Sequence, residues 1–172
     1  MLHEIELLDD HILEISQDED AESPDSWNNI DIFLVYDHRQ FYIKREGYNP
    51  KDIFEYTSNI EQYKGSKFDN YFIFKVFAYI HSGLSLSLAH NGDVWDTSAT
   101  GYILVDKNDF DFDLQRKSIE ELKDKSDFDI AKYYAEGLID TWNTYLSGET
   151  YKYCIYKKLY YKKLYLRGTD SY

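Results

Sequence analysis

Apolar and polar positions alternate along most of the chain, and the alternation changes period in a few places. In residues 3–16, "HEIELLDDHILEIS", two short alternating runs flank Asp9-Asp10 and predict a small hairpin. Residues 17–26, "QDEDAESPDS", follow as an acidic, turn-rich, flexible loop too polar to pack. A strand is expected from Ile30 to Tyr36, with "QFYIKR" continuing or returning it. Asn49-Pro50 is a start signal, and Ile53, Tyr56 and Ile60 fall at helical spacing, which predicts a helix over 51–63.

"NYFIFKVFAYI" is almost wholly apolar and reads as a strand central in a sheet. "GLSLSLA" places Leu84, Leu86 and Leu88 on one face and Ser85 and Ser87 on the other, with Gly83 marking a turn or bulge before it. "AHNGDVWDTSAT" reads as a loop with a tight turn at Asn91-Gly92, "GYILVDK" as a strand, and "NDFDFDLQRK" as a loop. Ser118-x-x-Glu121 has the spacing of a capping box opening a short helix. A longer helix is expected from Asp127 to Leu146, with Ala131, Tyr134, Ala135, Leu138, Trp142 and Tyr145 as its stripe and Gly148 at its C-terminal cap. The tail "TYKYCIYKKLYYKKLYL" reads as a hairpin around Lys157-Lys158. This order of elements predicts one α+β domain over 1–172, with a mainly antiparallel sheet and two or three helices.

Composition narrows the classes. Of 172 residues, 32 are acidic and 19 basic, a net charge of −13. Such a chain is repelled by nucleic acid and anionic membranes and attracted to basic partners, including proteins that themselves bind nucleic acid. Tyrosine occurs 18 times, so much of the packing uses rings that bury a body and keep a polar tip. Cys154 is the only cysteine, which fits a reducing compartment and excludes an intramolecular disulfide. No signal peptide and no stretch of membrane-spanning length is seen, so a cytoplasmic protein is expected.

Candidate chemistry concentrates in residues 79–103, "YIHSGLSLSLAHNGDVWDTSATGYI". A Ser-His-Asp arrangement would use His81 or His90 as base, with Asp96 orienting it, but no nucleophile elbow or oxyanion loop accompanies them. A metal site would use His81, His90, Asp93 and Asp96, whose spacing matches no closed zinc pattern. The structural reading is preferred. In it, Trp95 anchors the loop in the core and Asp96 accepts the backbone N–H groups of Thr97 and Ser98 in an Asx-turn. No cofactor is implied. Glycines 83, 92 and 101 do not form a phosphate loop, and the lysines of the tail blunt an edge strand.

"YIHSGLSLSL", "WDTSATGYILV" and "YLSGETYKY" resemble a family of uncharacterised proteins found mostly in phages and mobile elements. "SPDSWNNIDIFLVYDHRQF" is similar to that family further upstream. The resemblance falls on Trp27, Asn29, His81, Ser82, Gly83, Ser85, Ser87, Trp95, Asp96, Gly101, Tyr145, Leu146, Gly148 and Tyr151. The chain departs from it at Asp93-Val94, where members often carry a cysteine, and at its end, "LYLRGTDSY". It implies a phage-type setting and no particular reaction.

Charge and that setting lead to one expectation. The protein binds and inhibits a host defence nuclease, a CRISPR effector or a restriction complex, by placing carboxylates in a basic nucleic-acid groove. The candidate contacts are Asp18, Glu19, Asp20, Glu22 and Asp25, with Asp109, Asp111 and Asp113 as a second patch. The alternative is a small metal- or nucleotide-binding enzyme that uses the histidine and aspartate cluster.

Overall fold

The computed structural model describes residues 2–7, 11–27, 31–38, 41–80, 83–90 and 97–157. The strands are β1 (Leu2–Leu7), β2 (His11–Gln17), β3 (Ile32–His38), β4 (Phe41–Ile43), β5 (Tyr71–Ile80), β6 (Leu84–Ser87), β7 (Thr97–Asp106) and β8 (Tyr151–Lys157). The α-helices are α1 (Pro50–Ser58), α2 (Phe112–Ser118) and α3 (Asp127–Ser147). The class is α+β with antiparallel sheets, as the patterning predicts. The chain divides into two compact units, one of residues 1–21 with 148–172 and one of residues 22–147.

The first unit is a three-stranded sheet in the order β1-β2-β8. Its N-terminal hairpin is the expected one, with Ile5 opposite Glu14 and Leu7 opposite Ile12. β8 pairs with β2, and the return expected beyond Lys157 lies outside the described residues. Past the last rung, the Asp18 N–H donates to the Thr150 carbonyl at 2.9 Å and Gln17 Nε2 donates to the Gly148 carbonyl at 3.0 Å. Gly148 has φ +73°, the left-handed conformation expected just past a helix end.

The second unit is a five-stranded sheet in the order β4-β3-β7-β5-β6, covered on both faces. Period-2 geometry sends alternate residues of "FLVY" and "YILV" to opposite sides, so covering both faces makes the whole run apolar. Leu34, Tyr36, Ile103 and Val105 meet Ile130, Ala131, Ala135, Ile139 and Trp142 of α3. Phe33, Val35, Tyr102 and Leu104 meet Ile53 and Tyr56 of α1, together with Phe68. The central strand is β7, and β5 lies between β7 and β6. Between Val76 and Ala78, two steps of β5 oppose three of β7, from Gly101 to Ser98, so β7 carries a bulge.

Four boundaries differ from the sequence expectation. The α1 helix stops at Ser58, because Asn59 leaves helical geometry (φ −145°, ψ 55°) and Ile60 is exposed, so a further turn would bury nothing. The ladder of β7 starts at Thr97, since Thr97 and Ser98 pair with Tyr79 and Ala78; they are strand residues rather than the end of the expected loop. Residues 112–117 form α2, not loop, because Phe112 is buried and the Asp111 carboxylate caps the helix by accepting the Leu114 N–H at 2.8 Å. Ser118 therefore ends a helix, and the short helix expected after it is a 3-10 turn over Glu120–Leu122 with no side-chain cap. The reciprocal cap sits at α3, where Ser126 Oγ accepts the Asp129 N–H and donates to the Asp129 carboxylate at 2.6 Å.

Candidate functional site

Residues 109–113 read Asp-Phe-Asp-Phe-Asp, and the structure gives that alternation a physical meaning. Phe110 and Phe112 are buried with ring centroids 4.7 Å apart, so their burial pins the segment to the core. Asp109, Asp111 and Asp113 are left exposed between them. The start of the segment is fixed by Asp106, whose carboxylate accepts the N–H groups of Asn108 (2.8 Å) and Asp109 (3.2 Å). An anchored loop displays its carboxylates at lower entropic cost than a free one.

Arg116 organises this surface. Its guanidinium donates to Asp113 at 2.8 Å and to Asp127, and its Nε donates to the Lys125 carbonyl at 3.1 Å. These partners, Asp127 foremost, hold the guanidinium above its already high ordinary pKa. Around it lies a shallow concavity of about 430 Å³ whose lining includes Asp109, Asp111, Asp113 and Asp127. One cation thus ties the start of α2 to the start of α3, and the carboxylates around it outnumber it. Sequence reasoning found the three aspartates of the loop and missed Asp106, Arg116 and Asp127. The Asp-Phe alternation was legible, but the ion pair to Asp127 spans eleven residues and left no sequence signal.

The residues of the first acidic patch fall in both units, Asp18, Glu19 and Asp20 in one and Glu22 and Asp25 in the other. In the sheet unit, Asp18 lies 3.8 Å from Lys152 Nζ and accepts the Asp20 N–H at 3.3 Å, while Glu19 and Asp20 are exposed. In the larger unit, Glu22 and Asp25 are exposed, and Ser23 Oγ donates to the Asp25 carboxylate at 2.5 Å. The segment is not wholly loop or wholly polar in its packing, since Pro24–Ser26 form a 3-10 turn and Pro24 is buried.

The cluster at 79–103 is described only in part. His81, Ser82, Asp93, Trp95 and Asp96, and with them the expected Asx-turn, lie outside the described residues, as does Asn29. Gly83 is exposed just before β6 and Ser85 is exposed on it, whereas the Ser87 hydroxyl accepts the Ala89 N–H at 3.0 Å. The His90 ring stands edge-on to Phe77 at 5.3 Å. Among the described residues, no group of three or more His, Cys, Asp or Glu side chains is placed to hold a metal ion. Gly101 is a packing residue, because a Cβ there would lie 2.1 Å from Cδ2 of the Tyr36 ring. Cys154 is exposed on β8. Among the described residues, no helix is long and apolar enough to cross a membrane.

No family model, no curated protein and no solved structure matches the chain.

Proposed function

We propose that the protein is a small acidic inhibitor of the phage type. Its partner is a basic, nucleic-acid-binding defence complex of the host, a CRISPR effector or restriction complex, met in the host cytoplasm. The carrying observation is where the charge sits. Among the described residues no charged side chain is buried, so their charge is displayed to solvent rather than neutralised inside, on a chain with 32 acidic and 19 basic residues. A groove built of Lys and Arg for phosphates accepts such a surface by the same attraction it uses for nucleic acid. Asp109, Asp111, Asp113 and Asp127, gathered around Arg116, are the part of it that meets the groove, and the protein itself binds neither nucleic acid nor membrane through these carboxylates.

The test is capture of partners from host lysate on the tagged protein at low and high salt, with mass spectrometry of what stays bound. Attraction between exposed charges is screened over about 8–10 Å at physiological salt, so the reading predicts enrichment of a nucleic-acid-processing complex that rising salt weakens. Absence of any such complex at either salt contradicts it.

A further inference from the structure

A cleft of about 200 Å³ in the larger unit opens where β4 is shorter than β3. Only Tyr36, Asp37 and His38 of β3 pair with β4, and the chain then turns away through Arg45 and Tyr48. The direction of the uncovered main chain follows from the ladder. The Asp106 N–H donates to the Asp31 carbonyl at 2.8 Å, and antiparallel pairing alternates. Phe33 and Val35 therefore turn their N–H and C=O groups toward β7, while Ile32, Leu34 and Tyr36 turn theirs away. Tyr36 meets Ile43 of β4, but the Ile32 and Leu34 groups face the cleft. Among the described residues the ladder with β4 ends at Tyr36 and does not reach Ile32 or Leu34, and Leu34 is only 4% exposed. Peptide groups that a neighbouring strand does not reach, at the floor of a cleft, gain from a hydrogen-bonding ligand.

The walls and rim have a consistent chemistry. Trp27, on the turn after Pro24, is 46% exposed and faces the cleft, and Trp142 of α3 lines it as well. Arg45 and Lys44 stand at the rim, adjacent cations on a strongly acidic protein. The Arg45 guanidinium lies 3.9 Å over the Phe33 ring, and Lys44 Nζ lies 4.8 Å over the Tyr42 ring. Asp25 is on the same rim, oriented by Ser23.

We propose that this cleft binds a mononucleotide. The base edge reads the donors and acceptors of Ile32 and Leu34, and its face stacks on Trp27. The phosphate meets Lys44 and Arg45, and Asp25 accepts hydrogen bonds from the ribose hydroxyls. The cleft volume suits one base, with ribose and phosphate at the open mouth. This site is separate from the Asp109–Asp113 surface and stands without the nuclease reading.

Titration of the full chain with the common 5′-mononucleotides, followed by calorimetry and tryptophan fluorescence, tests the site. At least one is expected to bind and quench fluorescence, with its nucleoside and inorganic phosphate each weaker by about tenfold, the scale of one charge-assisted contact. Lys44→Ala is expected to weaken binding by a similar factor, Trp27→Leu to abolish it, and Trp27→Phe to retain most of it. Circular dichroism confirms that each variant is folded. No binding by any mononucleotide up to about 1 mM, near the weak end of specific affinity, overturns the proposal. So does binding that Trp27→Leu and Lys44→Ala leave unchanged, or phosphate alone binding as well as the nucleotide.

Discussion

Gly101→Ala tests the packing of the central strand at one carbon. Gly101 pairs with Tyr36 on β3 and Val76 on β5, and the Tyr36 ring lies over it. Its φ is not positive, so alanine is acceptable to the backbone and the whole effect is steric. An added Cβ meets Cδ2 at 2.1 Å, Cε2 at 2.8 Å and Cγ at 3.1 Å, the stiff inner part of a ring rather than a flexible end. The ring cannot swing aside, because it is 1% exposed and rests against Phe41 at 5.3 Å. Overpacking of this kind costs about 1–3 kcal/mol, and the lost freedom of the unfolded glycine returns about 0.4–1 kcal/mol. The net expectation is a loss of about 1 kcal/mol, or about 0.5 M in the urea midpoint at a slope of about 2 kcal/mol/M. Tyr36→Leu removes the obstructing ring edge at its own cost, and in that background Gly101→Ala should be close to neutral. The coupling in the double-mutant cycle should therefore be about 1 kcal/mol. Additive losses, or a Gly101→Ala variant as stable as the wild type, would refute the steric argument.

Other consequences follow from single contacts. Asn143 accepts the Leu86 N–H at 2.7 Å and donates to the Leu86 carbonyl at 3.0 Å, so its amide replaces the strand that edge strand β6 lacks. Asn143→Ala strands both buried groups and should cost about 2–4 kcal/mol in urea unfolding; a loss below about 0.5 kcal/mol, the scale of a neutral surface change, contradicts this role. The Asp69 carboxylate is held below its ordinary pKa, first by the Tyr56 hydroxyl at 2.7 Å and then by the Gly65 N–H at 2.6 Å. Its folded pKa lies below the unfolded one, so its contribution is complete above the ordinary carboxylate range and is lost as pH falls through the lowered value. The stability difference between wild type and Asp69→Asn should therefore shrink on acidification, and a constant difference between pH 7 and pH 3 contradicts the assignment. Burial and the same hydrogen bond push the Tyr56 phenol up to about 12 from an ordinary 10.0. Stability should consequently fall as pH rises between those values, with spectrophotometric titration of Tyr56→Phe identifying the group.

The sequence was most legible where packing repeats a short period. Both buried strands, "FLVY" and "YILV", were visible because residues covered on each side must be apolar throughout. Helix α3 was visible because its stripe, from Ala131 to Tyr145, runs for about four turns and Gly148 follows the helix end. Short elements were harder to read. Helix α2 is seven residues long, and its strongest signal, the Asp111 cap beside Phe112, resembles a polar turn. At Ser118 the capping pattern was present but idle, since Asp111 had already opened α2 and the 3-10 turn at Glu120–Leu122 has no side-chain cap. The aspartates of the 109–113 loop could be found by composition, whereas their arrangement around Arg116 depends on two helix starts meeting in space. The cleft beside Trp27 was not legible, because it exists through the difference in length between β3 and β4.

The most direct test of the central claim is protection of phage DNA from cleavage by the captured defence nuclease. It compares wild type with Asp109→Asn/Asp111→Asn/Asp113→Asn, in which asparagine at 111 keeps the α2 cap. Three exposed charge contacts are worth about 1–3 kcal/mol together, so the variant should need about ten times more protein for equal protection, and salt should affect it less. Equal protection by a folded variant, with unchanged salt dependence, would contradict inhibition through this acidic surface.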